Sequence, residues 1–306
     1  MSQSKRQKTH QQYNTYLTAW LQYCQQNDIS PTQAATPHGL AFLEHLRMSR
    51  NLGYSAMNTA RSALSSILQT SGEQPFGQDQ FVKLYMRGLF NINPPVPRYK
   101  DTWDPSVVLN LLRQWSPVGD IDLKTLTLKV VILILLVSGQ RIQTLSYLDV
   151  TYMKSSHSSY SFVLDCLLKQ TRPGYSNPTV KLVAYAPDRR LCVHRYLTEY
   201  LKRTAPLRNN ESALLLCYQK PHKKASKDTI ARWVRSVLNT AGIDTNKYGP
   251  HSIRAASTSA AKRGGATVQA ILDTAGWAST NVFAKYYDKV VHVQGNTPFH
   301  VAVLGK

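Results

Sequence analysis

The chain is short of acid, of long apolar runs and of clustered cysteine. Only 17 of its 306 residues are Asp or Glu, against 37 Lys or Arg, which gives a formal charge of +20. So basic a chain draws polyanions: nucleic acid is the first class of partner, an anionic membrane surface the second. The longest apolar run, Val130 to Val137, falls far below the ~20 residues needed to span a bilayer. It reads as a buried helix and excludes an integral membrane protein. No apolar stretch follows Met1-Ser-Gln-Ser-Lys-Arg-Gln-Lys, so a short basic arm is expected there and not a secretory signal. Cys24, Cys166, Cys192 and Cys217 form neither a close pair nor a cluster with histidines at zinc spacing. A reduced compartment, no structural metal and no cofactor are the expectations. Internal repeats and low-complexity tracts are missing as well.

What is present has the length for two domains, each with its own core. From Gln11 to about Leu89 the pattern is helical, with Tyr13, Tyr16, Leu17, Trp20, Leu21 and Cys24 on one face. Further amphipathic stretches run over Gly39 to Met48 and Ser55 to Thr70, separated by a turn at Asn51 to Tyr54 with Ser55 as N-cap. Arg61 is expected exposed on this domain, facing phosphates. Pro94, Pro95 and Pro97 cannot continue a helix and mark a linker. Asp104-Pro105 then supplies an N-cap and a proline at the first helical position, opening a helix over Ser106 to Gln114.

In the second domain Leu123 to Val137 reads as a core helix ending near Ser138-Gly139. Three β-rich stretches follow, Val150 to Met153, Tyr160 to Leu168 and Val180 to Tyr185, with a Gly/Pro/Asn loop at Pro173 to Pro178, and predict a small antiparallel sheet. Helical patterns resume at Leu191 to Arg203, at Asp228 to Ala241 after the N-cap Ser226, at Ser252 to Arg263 and at Thr267 to Ala275. Helices, three strands, then helices make an α+β arrangement, mostly helical. The expected division is residues 1–92 as a helical domain, 93–103 as linker, 104–289 as the second domain and 290–306 as a tail.

Chemistry gathers in the second domain. Gly249-Pro-His-Ser-Ile-Arg254 puts His251 and Arg254 three apart at a helix entrance, able to reach one anion. Ser138-Gly-Gln-Arg141 puts an arginine directly after a buried helix, where a charge is costly unless it meets a counter-ion. Downstream come Ala275-Gly-Trp277 and then Phe283-Ala-Lys-Tyr286-Tyr287-Asp-Lys289.

The set Arg141, Lys169, His251-x-x-Arg254, Gly276-Trp277 and Tyr287 resembles the tyrosine recombinases in residue type, chain order and spacing. More narrowly, Ser138-Gly-Gln-Arg-Ile-Gln-Thr-Leu145, Leu167-Leu-Lys-Gln-Thr-Arg-Pro-Gly174, His251-Ser-Ile-Arg-Ala-Ala-Ser-Thr-Ser259 and Phe283 to Val290 resemble recombinases of eukaryotic mobile elements. These are the Crypton transposons and the Ngaro or DIRS-like retrotransposons. Tyr54 to Ser66 and Thr102-Trp-Asp-Pro105 also match, so the resemblance covers nearly the whole chain. It implies a helical core-binding domain and a catalytic domain that clamp double-stranded DNA, a tetramer on that DNA, and nuclear work.

The resemblance also implies roles. Arg141 and Arg254 clamp the scissile phosphate, since a guanidinium stays charged and its fork fits phosphate oxygens. Lys169 is the general acid to the leaving 5′-oxygen, with Arg172 and Lys181 as nearby alternatives. His251 assists proton transfer, and Trp277 donates its indole N–H to a phosphate oxygen. The nucleophile is Tyr287 by the mobile-element pattern or Tyr286 by the spacing common elsewhere in the family; neighbouring helical residues point ~100° apart, so only one faces the phosphate. Thr144 stands where bacterial relatives often carry an acidic residue. Lys223, Lys224 and Lys227, followed by Arg232, form a basic concentration suited to phosphate contacts, and Arg61 and Arg172 join them as DNA-binding candidates. The apolar string Thr297 to Leu304 implies a tail that covers its own domain or passes to a neighbour. Two other functions share parts of this pattern: a host-captured, non-catalytic DNA-binding regulator and a type IB topoisomerase-like nicking enzyme. The complete set of reactive residues, the domain order and the resemblance favour a mobile-element recombinase.

Overall fold

A computed structural model describes residues 7–69, 74–95, 101–166, 171, 177, 179–277, 280, 283–284 and 287–292. The chain forms two compact units, Met1–Arg98 and Tyr99–Lys306.

Among its described residues the first unit holds the α-helices α1 (Gln7–Gln26), α2 (Thr36–Arg50), α3 (Tyr54–Leu64) and α4 (Gln80–Ile92). Their apolar faces meet around Trp20, Phe42, Leu43, Leu46, Met57, Leu64, Phe76 and Met86, all buried. Trp20 meets Phe42 edge to face at 5.1 Å and donates its indole N–H to the Pro31 carbonyl. Helix α3 starts a residue earlier than expected. Gly53, and not Ser55, is its N-cap, without a side-chain bond. The same helix stops at Leu64, short of the expected Thr70, because Ser65 turns its hydroxyl back onto the Arg61 carbonyl and accepts the Gly77 N–H at 2.6 Å.

The second unit begins with β1 (Asp101–Trp103), inside the stretch read as linker, and α5 (Pro105–Gln114). Asp104 caps α5 by accepting the Ser106 N–H at 3.1 Å, with Pro105 at the first position. Helix α6 (Leu123–Ser138) is the central rod of this unit, buried along most of its length. A single helical turn, α7 (Ile142–Leu145), follows it. The sheet is an antiparallel meander of β2 (Met153–Ser155), β3 (Ser159–Phe162) and β4 (Val180–Val183) in that order. Tyr160 pairs with Leu182 and Phe162 with Val180, placing four buried side chains on one face. These strands are shorter than the β-rich stretches suggest. The Val150 N–H goes to the Ser212 carbonyl, so the first strand starts only at Met153, and beyond Phe162 the Asn177 amide takes the Leu164 and Cys166 carbonyls instead of a neighbouring strand. The expected loop between β3 and β4 lies largely outside the described residues.

Helices α8 (Val193–Thr204), α9 (Lys227–Thr240), α10 (Ser252–Arg263) and α11 (Val268–Ala275) complete the unit. Helices α8, α9 and α10 pack on α6, and Ser226 caps α9 by accepting the Thr229 N–H at 3.1 Å. The last described strand, β5 (Val290–His292), pairs in parallel with β1 of the same chain. So residues 290–292, expected as the start of a tail, belong to the unit; residues 293–306 lie outside the described residues. The result is an α+β chain, mostly helical, with the small antiparallel sheet expected.

Candidate active site

Two helix ends build the floor of the site by the same device. Helix α6 ends at Gly139 in the left-handed region, φ 56°, and α11 ends at Gly276, φ 67°. An L-residue is strained there, and a Cβ on Gly139 would also stand 3.1 Å from Thr258 Cγ2 and 3.4 Å from Ala275 Cβ. Each glycine reverses the chain and so aims a side chain just beyond it: Arg141, which caps α7 two residues on, and Trp277, next after Gly276.

Arg254, in the first turn of α10, joins these two ends. It is 1% exposed, and its two terminal nitrogens donate to the Gly139 carbonyl at 2.6 Å and the Ala275 carbonyl at 2.9 Å. Gln140 adds a parallel tie, its amide donating to the Thr274 carbonyl at 2.8 Å. The Arg254 guanidinium lies 4.1 Å below the Trp277 ring and 5.4 Å from the Tyr287 ring, and those two rings are 4.6 Å apart. The Tyr287 hydroxyl is 3.5 Å from Nε2 of His251, the exposed N-cap of α10. That is the long edge of hydrogen-bonding range.

The electrostatics favour an anion. Burial pushes the Arg254 guanidinium down to about 9, and the like charge of Arg141 adds to the push, while the Tyr287 phenol works against it. At neutral pH Arg254 is still a cation. Arg254 bonds carbonyls and no carboxylate among the described residues. Its Nε and the Trp277 Nε1 are buried donors without a partner among the described residues. Buried donors left unsatisfied are costly unless a ligand takes them, and a phosphate has the acceptor oxygens to do so.

The structure therefore gathers Arg141, His251, Arg254, Trp277 and Tyr287 in one place. Lys169, Arg172 and the alternative nucleophile Tyr286 lie outside the described residues. Lys181, the described alternative to Lys169, is exposed on β4 opposite Ser161. Lys223, Lys224, Lys227 and Arg232 are exposed, the first two on a loop paired to Leu216 and Cys217, the others on α9. Arg61 is a correction. It is half-buried, its Nε enclosed and one terminal nitrogen 3.4 Å from the Gly77 carbonyl it donates to, because the turn Phe76–Gln78 closes over it. Sequence reasoning missed Gln140 and Ser259; a single polar residue inside a motif gives no sign of which carbonyl it will meet.

The model of the phage integrase family matches residues 118–292, more than half of the chain. The chain belongs to the phage integrase family, the tyrosine recombinases. It is thus an enzyme of DNA strand cleavage and transfer. No curated protein matches it. Among solved structures, the XerH site-specific recombinase in its post-cleavage complex with palindromic difH is similar at TM-score 0.62 and 14% identity, over 90% of this chain and 75% of that one. A lambda integrase dimer bound to a COC′ core site is similar at TM-score 0.57 and 12% identity, over 97% and 94%. The Tn1549 transposon integrase with transposon right-end DNA is similar at TM-score 0.56 and 13% identity, over 89% and 84%. At such identities these likenesses are of fold.

Proposed function

We propose that this chain is the site-specific recombinase of a mobile element, acting through a 3′-phosphotyrosine without a metal ion, with Tyr287 as nucleophile. The observation that carries the proposal is the Tyr287 hydroxyl beside His251 Nε2, over a buried Arg254 whose Nε has no partner among the described residues. In this reading the phenol oxygen attacks the scissile phosphorus and its proton passes to His251. The bond from phosphorus to the 5′-oxygen breaks, and Lys169 protonates that oxygen. Arg141, Arg254 and the Trp277 N–H hold the charge that builds on the non-bridging oxygens. One phosphate ester is exchanged for another, so a free 5′-hydroxyl from a second duplex reverses the steps and joins the strands.

The mobile-element origin is supported by the strings around Arg141, Lys169, His251 and Tyr287, and a nuclear workplace goes with it. Lambda integrase forms a tetramer bound to a Holliday junction, and we extend that assembly on double-stranded DNA to this chain. Among the described residues no helix is long and apolar enough to cross a membrane. The test is incubation in EDTA with a nicked duplex from the element's termini. A protein–DNA adduct that survives denaturant and is joined at the 3′-phosphate supports the proposal, and strand exchange between two duplexes separates recombinase from nicking enzyme. An absolute need for Mg²⁺ would sink the mechanism.

A further inference from the structure

A hydroxyl on α10 ties down the main chain around Tyr287. Ser259 is 3% exposed on α10, and it donates to the Tyr287 carbonyl at 2.5 Å while accepting the Lys289 N–H at 3.0 Å. The Lys289 N–H also reaches the Tyr287 carbonyl at 3.1 Å, so the three groups close a ring across Tyr287, Asp288 and Lys289. Upstream, the Tyr287 and Asp288 amides both donate to the Phe283 carbonyl, at 2.8 and 2.9 Å. Those bonds shape the turn locally without tying it to the rest of the site. Lys262 pairs with Asp288 from the same helix, but the lysine is exposed and the aspartate only partly covered, and such pairs are weak. Among the described residues, Ser259 is the buried tie.

We infer that Ser259 is a positioning residue for the nucleophile. The inference rests on the reading of Tyr287 as that nucleophile. Helix α10 carries His251 at its N-cap, Arg254 in its first turn and Ser259 a turn and a half further on. One rigid element thus fixes the proton acceptor, the phosphate clamp and the backbone of the attacking residue in a common frame. The phenol is a long lever: a swing of roughly 10° at its Cα moves the oxygen by about 1 Å, and a misplacement of that size costs ~10²-fold in rate. Serine suits the task because its hydroxyl gives and takes a hydrogen bond at once. Alanine does neither, whereas threonine keeps the hydroxyl and cysteine a weaker version in nearly the same volume.

The experiment uses the full chain and a nicked duplex from the element's termini, following adduct formation as a function of DNA concentration. Ser259→Ala is expected to lower the saturating rate by about tenfold to a hundredfold, to leave the half-saturating DNA concentration nearly unchanged and to lower the melting temperature by only a few degrees. Ser259→Thr, or Ser259→Cys where the extra methyl does not fit, recovers most of the rate. Two results overturn the inference: Ser259→Ala cleaving at the wild-type rate, or rate, DNA affinity and melting temperature falling together without rescue by either variant. Tyr287→Phe serves as the control on the underlying reading. If that variant still forms the adduct, the nucleophile is misassigned, an outcome distinct from either result at Ser259.

Discussion

Among the described residues of the second unit, the basic side chains of Lys129 and Arg254 lie fully buried, and their surroundings give them different work. Lys129, on α6, is fully enclosed; its ammonium donates to the Leu112 and Trp115 carbonyls at 2.6 and 2.7 Å and sits 3.7 Å over the Tyr196 ring. It caps the end of α5, with oxygens around it. Arg254 has two carbonyls, an Nε without a partner among the described residues and a second arginine close enough to repel it. The first is a structural cation, the second a cation prepared for an anion. Burial pushes the Lys129 ammonium from its ordinary 10.5 down to about 7, with the charge of Asp188 opposing and that of Arg190 adding. Between those values the unfolded chain holds a proton that the folded chain lacks, so Lys129 makes stability rise with pH across that window. Below about 7 both states are protonated and the burial penalty stands in full. Lys129→Met should flatten the rise of melting temperature between pH 7 and 10. At the alkaline end it should cost about 1–3 kcal/mol, because the two carbonyls lose their donor. An unchanged slope contradicts this account of Lys129. None of it is legible in the sequence, where position 129 is one lysine at the edge of an apolar run and its partners stand 14 and 17 residues away.

At the scale of elements, the ends matter more than the middles. The helix ends whose signals are local were legible: Asp104-Pro105 opening α5, Ser226 opening α9, Ser138-Gly139 closing α6. Strand limits were not, because a strand ends where its partner ends, and the partner of Val150 turned out to be Ser212. The Ser55 expectation failed for a related reason. A serine next to a turn is a fair N-cap only if the helix begins after it, and Tyr54 already belongs to α3. Gly139→Ala tests the left-handed turn that aims Arg141. The left-handed conformation alone should cost about 1–2 kcal/mol, the contact with Thr258 adds to that, and DNA cleavage should fall further than stability because Arg141 shifts. Gly88→Ala is the contrast. It sits inside α4 with nothing within 4 Å of the added Cβ, so denaturant melts should show a gain of about 0.5–1 kcal/mol. Equal effects at the two glycines would contradict the geometry.

For the whole molecule, charge and site point to one partner. The excess of +20 and the exposed Lys223, Lys224, Lys227 and Arg232 fit a surface that neutralises many phosphates at once. Each such contact releases counterions, so log K for DNA should fall against log salt with a slope of about −0.9 per phosphate. Binding that barely changes between low and moderate salt contradicts a DNA clamp. The fold class was readable from the order of helical and β-rich stretches. The ties that hold the site together, Arg254 to two carbonyls and Ser259 to the chain of Tyr287, join residues distant in sequence through main-chain atoms that carry no residue signature.

A nucleophilic Tyr287 ends up covalently bound to DNA, and mapping the site of that bond decides its role. The adduct formed on a nicked duplex is digested with protease and nuclease, and the peptide spanning Phe283 to Val290 is sequenced by mass spectrometry. The nucleotide is expected on Tyr287, whose hydroxyl stands beside His251. A nucleotide on Tyr286, or on any residue outside this segment, contradicts it.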